Sequence, residues 1–295
     1  MGYKVLFLTF SADGKGFWLR YTSLSGMRRY SALWATVFGY GKPRGFTAKI
    51  GEPLSISESS IVGLERLYSL HGGFSRAASR GLMWELNFTP SEGVFNPIPL
   101  IFRIIRRSSK YLIANPNTTF EGAVSIMGEE FSVNHRGMIG HVGGDRYLNH
   151  WAWSHCSGFD EDPEGWLDIL VASPDGRRRV LFGVVKRGNK IIHVGRIMGS
   201  PFRGELGLER FNAEAEAGGY RLKLEVEAAR EDVIVARYED PVEGYRFCHN
   251  TEIASLTLTL EGKMGRTRLG CSKRAFYEYA LPEKIDESLP EIVEV

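Results

Sequence analysis

Two tryptophans and a histidine alternate along one apolar stretch near the middle of the chain, within the sequence HWAWSHC. In an extended strand alternate residues share a face, so Trp151, Trp153 and His155 should lie side by side. Two indoles and an imidazole would form an apolar, electron-rich wall with one titratable group, and aromatic faces stabilise a developing carbocation. This spacing predicts acid chemistry on an apolar molecule, with His155 as a candidate catalytic residue. The alternative is that both tryptophans only fill a small β-barrel.

A glycine-rich segment before this strand holds two further candidate catalytic residues, His141 and Asp145, followed by Arg146. A carboxyl group and an imidazole can act as proton donor and orienting partner, provided that burial keeps the carboxyl protonated. Arg146 is a candidate for ligand binding. The alternative is structural, because an Asp-Arg pair commonly satisfies the backbone of a turn.

More aromatic candidates lie on other predicted strands. Trp18 and Arg20 share one face of a strand, where an arginine beside an indole can close the end of a barrel or contact a ligand. Trp84 belongs to a later strand, and core packing is the alternative for all three residues. The predicted ligand-binding residues are Trp151, Trp153, Trp18, Arg20, Trp84 and Arg146.

Metal ions and nucleotide cofactors are not expected. His141, His150 and His155 are close in the chain and Asp145 could be a fourth ligand, but His150 and His155 are an odd number of positions apart and point to opposite faces of a regular strand. Residues 140–144 lack the strand-to-helix context of a phosphate loop, and the sequence has no Walker, dinucleotide-binding or nucleophile-elbow motif. We therefore predict no metal site and no cofactor.

Short runs rich in Val, Ile, Phe, Tyr and Thr alternate with Gly, Asn, Asp and Pro along the whole chain, which is typical of successive antiparallel strands. We predict an all-β protein of two lipocalin-like barrels packed together, since closure removes exposed sheet edges. The predicted domains are residues 1–137 and 138–295, the second with an acidic tail that packs loosely. A strand is predicted over 98–105, and a short helix or lid over 60–70.

Composition restricts the classes of partner. The 295 residues include 43% hydrophobic residues and carry a formal net charge of +2, which predicts a sizeable core and no nucleic-acid binding. Basic clusters around Arg103 and Arg178 are interpreted as solvated edges. Three widely spaced cysteines indicate reduced thiols, and the short apolar run at residues 1–10 indicates neither a signal peptide nor a membrane span. We expect a cytoplasmic protein without an integral membrane segment, of undetermined oligomeric state.

Several segments together resemble the lipocalin-like superfamily that includes tocopherol cyclase, carotenoid 1,2-hydratase and related AttH-like proteins. The matching segments are residues 16–22 (GFWLRYT), 83–88 (MWELNF), 136–141 (RGMIGH), 151–156 (WAWSHC) and 238–241 (YEDP). This resemblance runs over nearly the full length. It implies two calycin-type barrels and, by analogy with characterised members, protonation of an isoprenoid double bond followed by cyclisation or hydration.

Taken together, the sequence predicts binding of a hydrophobic, isoprenoid or lipid-like small molecule in a barrel cavity. Two hypotheses remain open at this point. The first adds cofactor-independent, acid-catalysed cyclisation, hydration or isomerisation, and the second is a non-catalytic carrier or a structural, partner-binding protein. An acid facing the cavity beside the aromatic wall would favour catalysis.

Overall fold

A computed structural model describes residues 2–25, 29–90, 93–105, 110–173, 178–263 and 265–293. They form an all-β fold of two packed sheets, as predicted, with strands over most of the chain. Of the two basic clusters, Arg106, Arg107 and Arg177 lie outside the described residues.

The first sheet has 11 strands in the order β4-β3-β2-β1-β11-β10-β9-β8-β7-β6-β5. The long strands β10 and β11 lie in the middle of this sheet, where β11 pairs with β1 and β10 pairs with β9. The first and last strands of the sheet in sequence, β1 and β11, are therefore neighbours. The strands are β1 Gly2–Ala12, β2 Lys15–Ser25, β3 Arg29–Phe38, β4 Arg44–Ile50, β5 Ser55–Ile56, β6 Ser60–Val62, β7 Arg66–Ser69, β8 Phe74–Ser79, β9 Leu82–Phe88, β10 Lys110–Ile126 and β11 Glu129–Gly144.

The second sheet has 12 strands, with the main order β15-β14-β13-β12-β22-β21-β19-β18-β17; β16 pairs with β14, and β20 pairs with β21 and β23. Its strands are β12 His150–Ser157, β13 Trp166–Ser173, β14 Val180–Arg187, β15 Lys190–Val194, β16 Ser200–Pro201, β17 Gly204–Leu206, β18 Arg210–Ala217, β19 Tyr220–Glu227, β20 Ile234–Glu239, β21 Tyr245–Gly262, β22 Gly265–Leu281 and β23 Glu291–Val293. One α-helix, α1 Leu100–Ile105, and one 3₁₀ turn, Arg230–Asp232, are found among the described residues.

Three apolar clusters form the core: one within each curled sheet and one between the sheets. Strand β9 alternates buried and exposed residues, because its outer face meets solvent. Strand β1 is buried on both faces instead. Its Leu6 and Leu8 fill the first sheet, whereas Val5 and Phe7 join the cluster between the sheets. The central strands thus bring two opposing faces together, and the candidate site lies there.

Two of the predicted elements are wrong in type. Residues 60–70 form strands β6 and β7 around a turn whose tip, Leu64, is 93% exposed, so their three-residue apolar spacing reflects two short strands rather than a helix. Within 98–105 the chain forms α1 instead of a strand. Pro99 precedes the helix, and its carbonyl accepts hydrogen bonds from the amides of Phe102 and Arg103, which begin the helical turn.

The end of the chain also differs from the prediction of a loosely packed tail. Strand β23 pairs in parallel with β20, and Ile292 is buried in the cluster between the sheets. The hydroxyl of Thr47 on the first sheet donates to the carbonyl of Val293 at 2.9 Å. The tail therefore helps to join the two sheets.

The chain changes sheet between Gly144 and His150. Residues 138–144 pair with β1, so strand pairing groups them with the first sheet, although the predicted domain boundary assigns them to the second half. Pairing alone does not define independently folding units, and the division into domains stays a prediction. In the part of the chain that the structure describes, no helix has both the length and the apolar character needed to cross a membrane.

Candidate functional site

A pocket of about 160 Å³ opens between the two sheets, on the faces that the central strands turn toward each other. A cavity of about 150 Å³ is large enough to enclose one aromatic ring, so this pocket can hold a group of at least that size. The wall is mostly aromatic and aliphatic. It is lined by Tyr3, Val5, Phe7, Trp18, Arg20, Ile98, Phe102, Lys110, Tyr111, Val142, Gly143, Arg146, Tyr147, Leu148, Trp151, Trp153, Leu170, Ala172, Phe182, Tyr238 and Glu278.

Strand β12 supplies one wall of this pocket. Trp151 and Trp153 lie on the same face, as their spacing predicts, while Ala152 and Cys156 fill the core of the second sheet. Trp153 meets Phe7 of the first sheet edge to face, with ring centroids 5.8 Å apart. The tryptophan face therefore points out of its own sheet toward the other one, and the cavity lies between the two sheets rather than inside either.

Arg20 of β2 forms the opposite wall and is only 2% exposed. Its guanidinium lies 4.2 Å from the ring centroid of Tyr238 and 5.2 Å from that of Trp34, and Nη2 donates to the Tyr147 hydroxyl at 2.8 Å. Aromatic faces and a phenol oxygen thus surround a buried cation. Arg20 provides a fixed positive charge at the pocket wall.

Tyr147 is held in place by a polar clamp on the connection from β11 to β12. A buried carboxylate, Asp240, accepts the Tyr147 amide at 3.0 Å. Arg246 donates through Nε to the carbonyl of Leu148 and through Nη2 to Oδ1 of Asn149, both at 3.0 Å, and lies 3.8 Å from Asp240. Two residues of β20–β21 thereby fix the loop that carries one side of the pocket.

Glu278 is the acid that faces this pocket. It lies on β22 directly opposite Trp153 in the strand register, and its Oε2 accepts the Trp151 indole N–H at 3.1 Å. The part of the side chain that remains accessible faces the pocket. Burial raises the pKa of Glu278, while hydrogen bonds, first that from Trp151, and the charge of Arg20 act in the other direction.

A second buried acid, Glu252, lies behind Glu278. Asn250 donates to Glu252 Oε1 at 3.0 Å and approaches Glu278 Oε1 at 3.5 Å, and the Thr9 hydroxyl donates to Glu252 Oε2. Burial raises the pKa of Glu252 to about 8. The two carboxyl groups are therefore linked through one amide, and the charge of Glu278 further raises the pKa of Glu252.

His155 does not face the pocket but lies behind Trp153 in a polar cluster. Oδ2 of the fully buried Asp168 accepts from the Tyr111 hydroxyl at 2.6 Å and from the Trp153 indole at 3.0 Å. His155 Nδ1 lies 3.0 Å from the same oxygen, and its Nε2 lies 2.9 Å from the carbonyl of Pro116. This cluster orients two of the side chains that line the pocket, Tyr111 and Trp153.

Five of the six predicted ligand-binding residues line the pocket, and Trp84 does not. Its indole is buried in the first sheet, where Nε1 donates to Tyr21 and Ser75, each at 3.1 Å. Trp84 fills the curled sheet because its strand, β9, turns only one face inward.

The three predicted catalytic residues are not brought together. Asp145 is exposed after β11 and does not line the pocket. His141 faces the core side of the first sheet beside Leu6, where burial lowers its pKa to about 4 and its ring nitrogens have no hydrogen-bond partner among the described residues. Neighbours in sequence separate here because residue 141 belongs to one sheet and residue 155 to the other. Among the described residues, no three His, Cys, Asp or Glu side chains gather as metal ligands.

Sequence reasoning missed Glu278, Glu252 and Asp168. A signal was present for two of them. Glu278 alternates with Phe276 and Ala280, and Asp168 stands within the apolar run WLDILV. An acid on an otherwise apolar strand face is rarely buried without a partner or a role.

Comparison with known proteins bears on the fold. No protein-family model matches the chain. Two uncharacterised proteins of Mycobacterium tuberculosis, from strains CDC 1551 and H37Rv, are each 24% identical over 190 residues, or 63% of this chain. The match spans 57% of the length of those relatives.

Solved structures match almost the whole chain at low sequence identity. CghA aligns with a TM-score of 0.63 and 9% identity over 95% of this chain and 88% of its own. Kievitone hydratase from Nectria haematococca aligns with a TM-score of 0.52 and 9% identity, over 94% of this chain and 89% of its own. An AttH-type protein of Nitrosomonas europaea aligns with a TM-score of 0.50 and 10% identity, over 94% of this chain and 91% of its own. The chain thus shares its fold with these three proteins, and the resemblance read from the sequence is confirmed at the level of fold.

Proposed function

We propose that the protein binds an apolar, alkene-containing small molecule between its sheets and that Glu278 protonates this molecule, leading to hydration or cyclisation. The observation that carries the proposal is a carboxyl group with a raised pKa opening into an aromatic pocket. Protonated carboxyl groups in apolar sites are suitable general acids near neutral pH.

The proposed step balances without a redox cofactor. The proton of Glu278 forms a C–H bond as the alkene π bond breaks, which leaves a carbocation beside the faces of Trp151 and Trp153. Water, or a second double bond of the same molecule, then supplies the electrons for the new bond. In hydration the added water loses a proton, and in cyclisation the new carbocation loses one from a neighbouring carbon to form a double bond. Either proton returns to the Glu278 carboxylate, and the acid is restored.

Two further observations support this assignment. Asn250 and Trp151 hold Glu278 in one orientation, which a positioned proton donor requires. One solved structure with the same fold is that of a hydratase, kievitone hydratase. Since its identity to this chain is 9%, that likeness extends to the fold, and the reaction is proposed from the pocket itself.

Non-catalytic binding is the second candidate function. It is favoured by the hydrogen bond from Trp151 to Glu278, because a carboxyl group with such a partner can be buried for structural reasons alone. A carrier needs the same aromatic pocket but no proton transfer, so the two functions differ in what Glu278 does to a bound molecule.

The first experiment identifies that molecule. Protein purified from its source, or after incubation with a lipid extract, is extracted and its retained small molecules are identified by mass spectrometry. The wild type should retain a specific apolar compound that Trp153→Ala loses. If no specific compound is retained in repeated preparations, both candidate functions fail.

The second experiment separates catalysis from carriage. The retained compound is incubated with the protein in D₂O, and carbon-bound deuterium is measured by mass spectrometry. Proton donation from Glu278 predicts one deuterium per turnover in the wild type. Glu278→Gln should bind the compound within about threefold but lose at least about a hundredfold in rate. Binding without deuterium uptake by the wild type would leave the carrier as the function.

A further inference from the structure

An exposed apolar patch adjoins the pocket. Five large side chains take part, with exposures of 48% for Leu100, 38% for Ile101, 61% for Ile104, 67% for Ile197 and 64% for Met198. They belong to α1 and to the loop between β15 and β16. We call these five residues the rim patch. Exposed apolar groups gathered in one place commonly mark an interaction surface.

Backbone hydrogen bonds make the rim patch a single surface. The amide of Leu100 donates to the carbonyl of Arg196 at 3.1 Å, and that of Ile101 donates to the carbonyl of Ile197 at 3.0 Å. The apolar residues of α1 and those of the β15–β16 loop therefore cannot separate without breaking these hydrogen bonds. The patch is part of the folded structure.

The segment that carries α1 also reaches the pocket. Ile98 and Phe102 line its wall, on the two sides of the exposed residues Leu100 and Ile101. The rim patch thus continues the apolar lining outward from the pocket to the protein surface. An apolar molecule moving along this route would stay in contact with apolar side chains.

Four cations lie on or beside the segments that form the rim patch and the pocket wall. Arg103, Lys110, Arg146 and Arg196 are all exposed, and none forms an ion pair with a described residue. Residues 96–112 contain four basic and no acidic residues. Asp145, next to Arg146, is the acidic residue of the adjoining loop. The local charge is therefore positive, although the net charge of the whole chain is only +2.

We propose that the rim patch is a docking surface for an anionic lipid bilayer. Exposed apolar side chains beside exposed cations that form no ion pair with a described residue match a bilayer. Its acyl region accepts the apolar side chains, and its anionic headgroups bind the cations. An acidic protein surface would complement the cations but not five exposed apolar side chains. Docking would place the pocket opening against the membrane, where apolar molecules are concentrated.

Vesicle binding tests this surface without any pocket ligand. The full chain is sedimented with vesicles of phosphatidylcholine and with vesicles of mixed phosphatidylcholine and phosphatidylserine. The wild type should partition onto the mixed vesicles, and each neutralised cation should cost about fivefold. Ile104→Glu and Ile197→Glu should each lower this partitioning at least about tenfold. Leu64→Glu, a matched change at a side chain 93% exposed on the β6–β7 turn, should leave it unchanged.

Several results would overturn the docking surface. These are no binding of the folded wild type to mixed vesicles, equal binding to both vesicle types, or binding that Ile104→Glu and Ile197→Glu do not reduce. A concentration-dependent dimer in light scattering that Ile104→Glu abolishes would show that a second copy covers the patch instead. Glu278→Gln should bind vesicles like the wild type, so the failure of docking and the failure of the proposed catalysis are distinguishable.

Discussion

Burying a carboxyl group is costly unless hydrogen bonds compensate, and Glu252 and Glu278 form a pair in which one amide serves both acids. Asn250 Nδ2 lies 3.0 Å from Glu252 Oε1 and 3.5 Å from Glu278 Oε1. Burial raises the pKa of both acids, and this effect is larger than that of any hydrogen bond, each of which lowers the pKa. The reactive candidate is the member that opens to the pocket, and Glu252 stabilises its surroundings from behind.

At the residue scale, Glu252 predicts that stability depends on pH. Its pKa is about 8 in the folded protein against an ordinary value of 4.5. Between these values the folded state holds a proton that the unfolded state has lost, so the free energy of unfolding falls as pH rises. Over the whole range between the two pKa values, the free energy of unfolding would fall by at most about 5 kcal/mol. The lowered pKa of His141 acts in the opposite sense below its ordinary value of 6.5. Urea unfolding at pH values from 6.5 to 8 should therefore show the decline in the wild type.

Glu252→Gln should make the decline smaller, because the amide does not titrate, whereas Glu278, whose pKa is also raised, still contributes. Glu85→Gln, at an exposed position on β9, is the matched control and should keep the slope of the wild type. An unchanged slope in Glu252→Gln would mean that other groups cause the pH dependence.

At the scale of elements, the β11–β12 connection is ordered by groups from another part of the chain. Asp240 and Arg246 bind the backbone of residues 147 and 148, and this arrangement presents Tyr147 to Arg20. The segment YEDP, noted in the sequence for its family resemblance, supplies both Tyr238 of the pocket wall and Asp240 of the clamp. The β20–β21 hairpin therefore supports the site from behind as well as lining it.

Removing the clamp should loosen this loop. Arg246→Met keeps the aliphatic stem but deletes two hydrogen bonds to the loop and a third to the Tyr245 carbonyl. The two loop hydrogen bonds correspond to about 1–3 kcal/mol of local stability. Trypsin cleavage after the exposed Arg146 should accelerate by about fivefold or more, as followed by mass spectrometry. Arg210→Met, which removes an exposed ion pair with Glu227 on β18–β19, is the control. Equal cleavage rates in the two variants would contradict the role of the clamp.

At the scale of the whole molecule, the two sheets meet so closely that side chains of one contact the backbone of the other. A Cβ added at Gly16 of β2 would lie 2.8 Å from the Glu252 side chain and 3.1 Å from its carbonyl oxygen. Glycine is needed here for close approach. Together with Trp34 and Phe276 in the shared cluster, this contact makes the pocket a property of the assembled pair of sheets.

Gly16→Val should therefore push the sheets apart and lower the free energy of unfolding by about 1–3 kcal/mol. Urea unfolding followed by tryptophan fluorescence and by circular dichroism should give one coincident transition in both the wild type and the variant. Gly51→Val is the control, because a Cβ there meets nothing within 4 Å. Two separate transitions in the wild type would show that the sheets unfold independently.

Local pattern was enough to predict the all-β class, most strand positions and the shared face of Trp151 and Trp153, because strand alternation depends only on neighbouring residues. It failed at residues 60–70, where a turn between two short strands imitated a helical spacing. It also failed at α1, since a run of apolar residues after proline fits a strand or a short helix equally well.

Only the tertiary structure decided what stands opposite the tryptophans. Trp151 and Glu278 are 127 positions apart, and they meet because β12 pairs with β22. Such pairing depends on the whole arrangement of strands, which periodicity along the chain does not encode. For the same reason His141 and Asp145, close to His155 in sequence, lie apart from it, and the pocket forms between the sheets rather than inside either one.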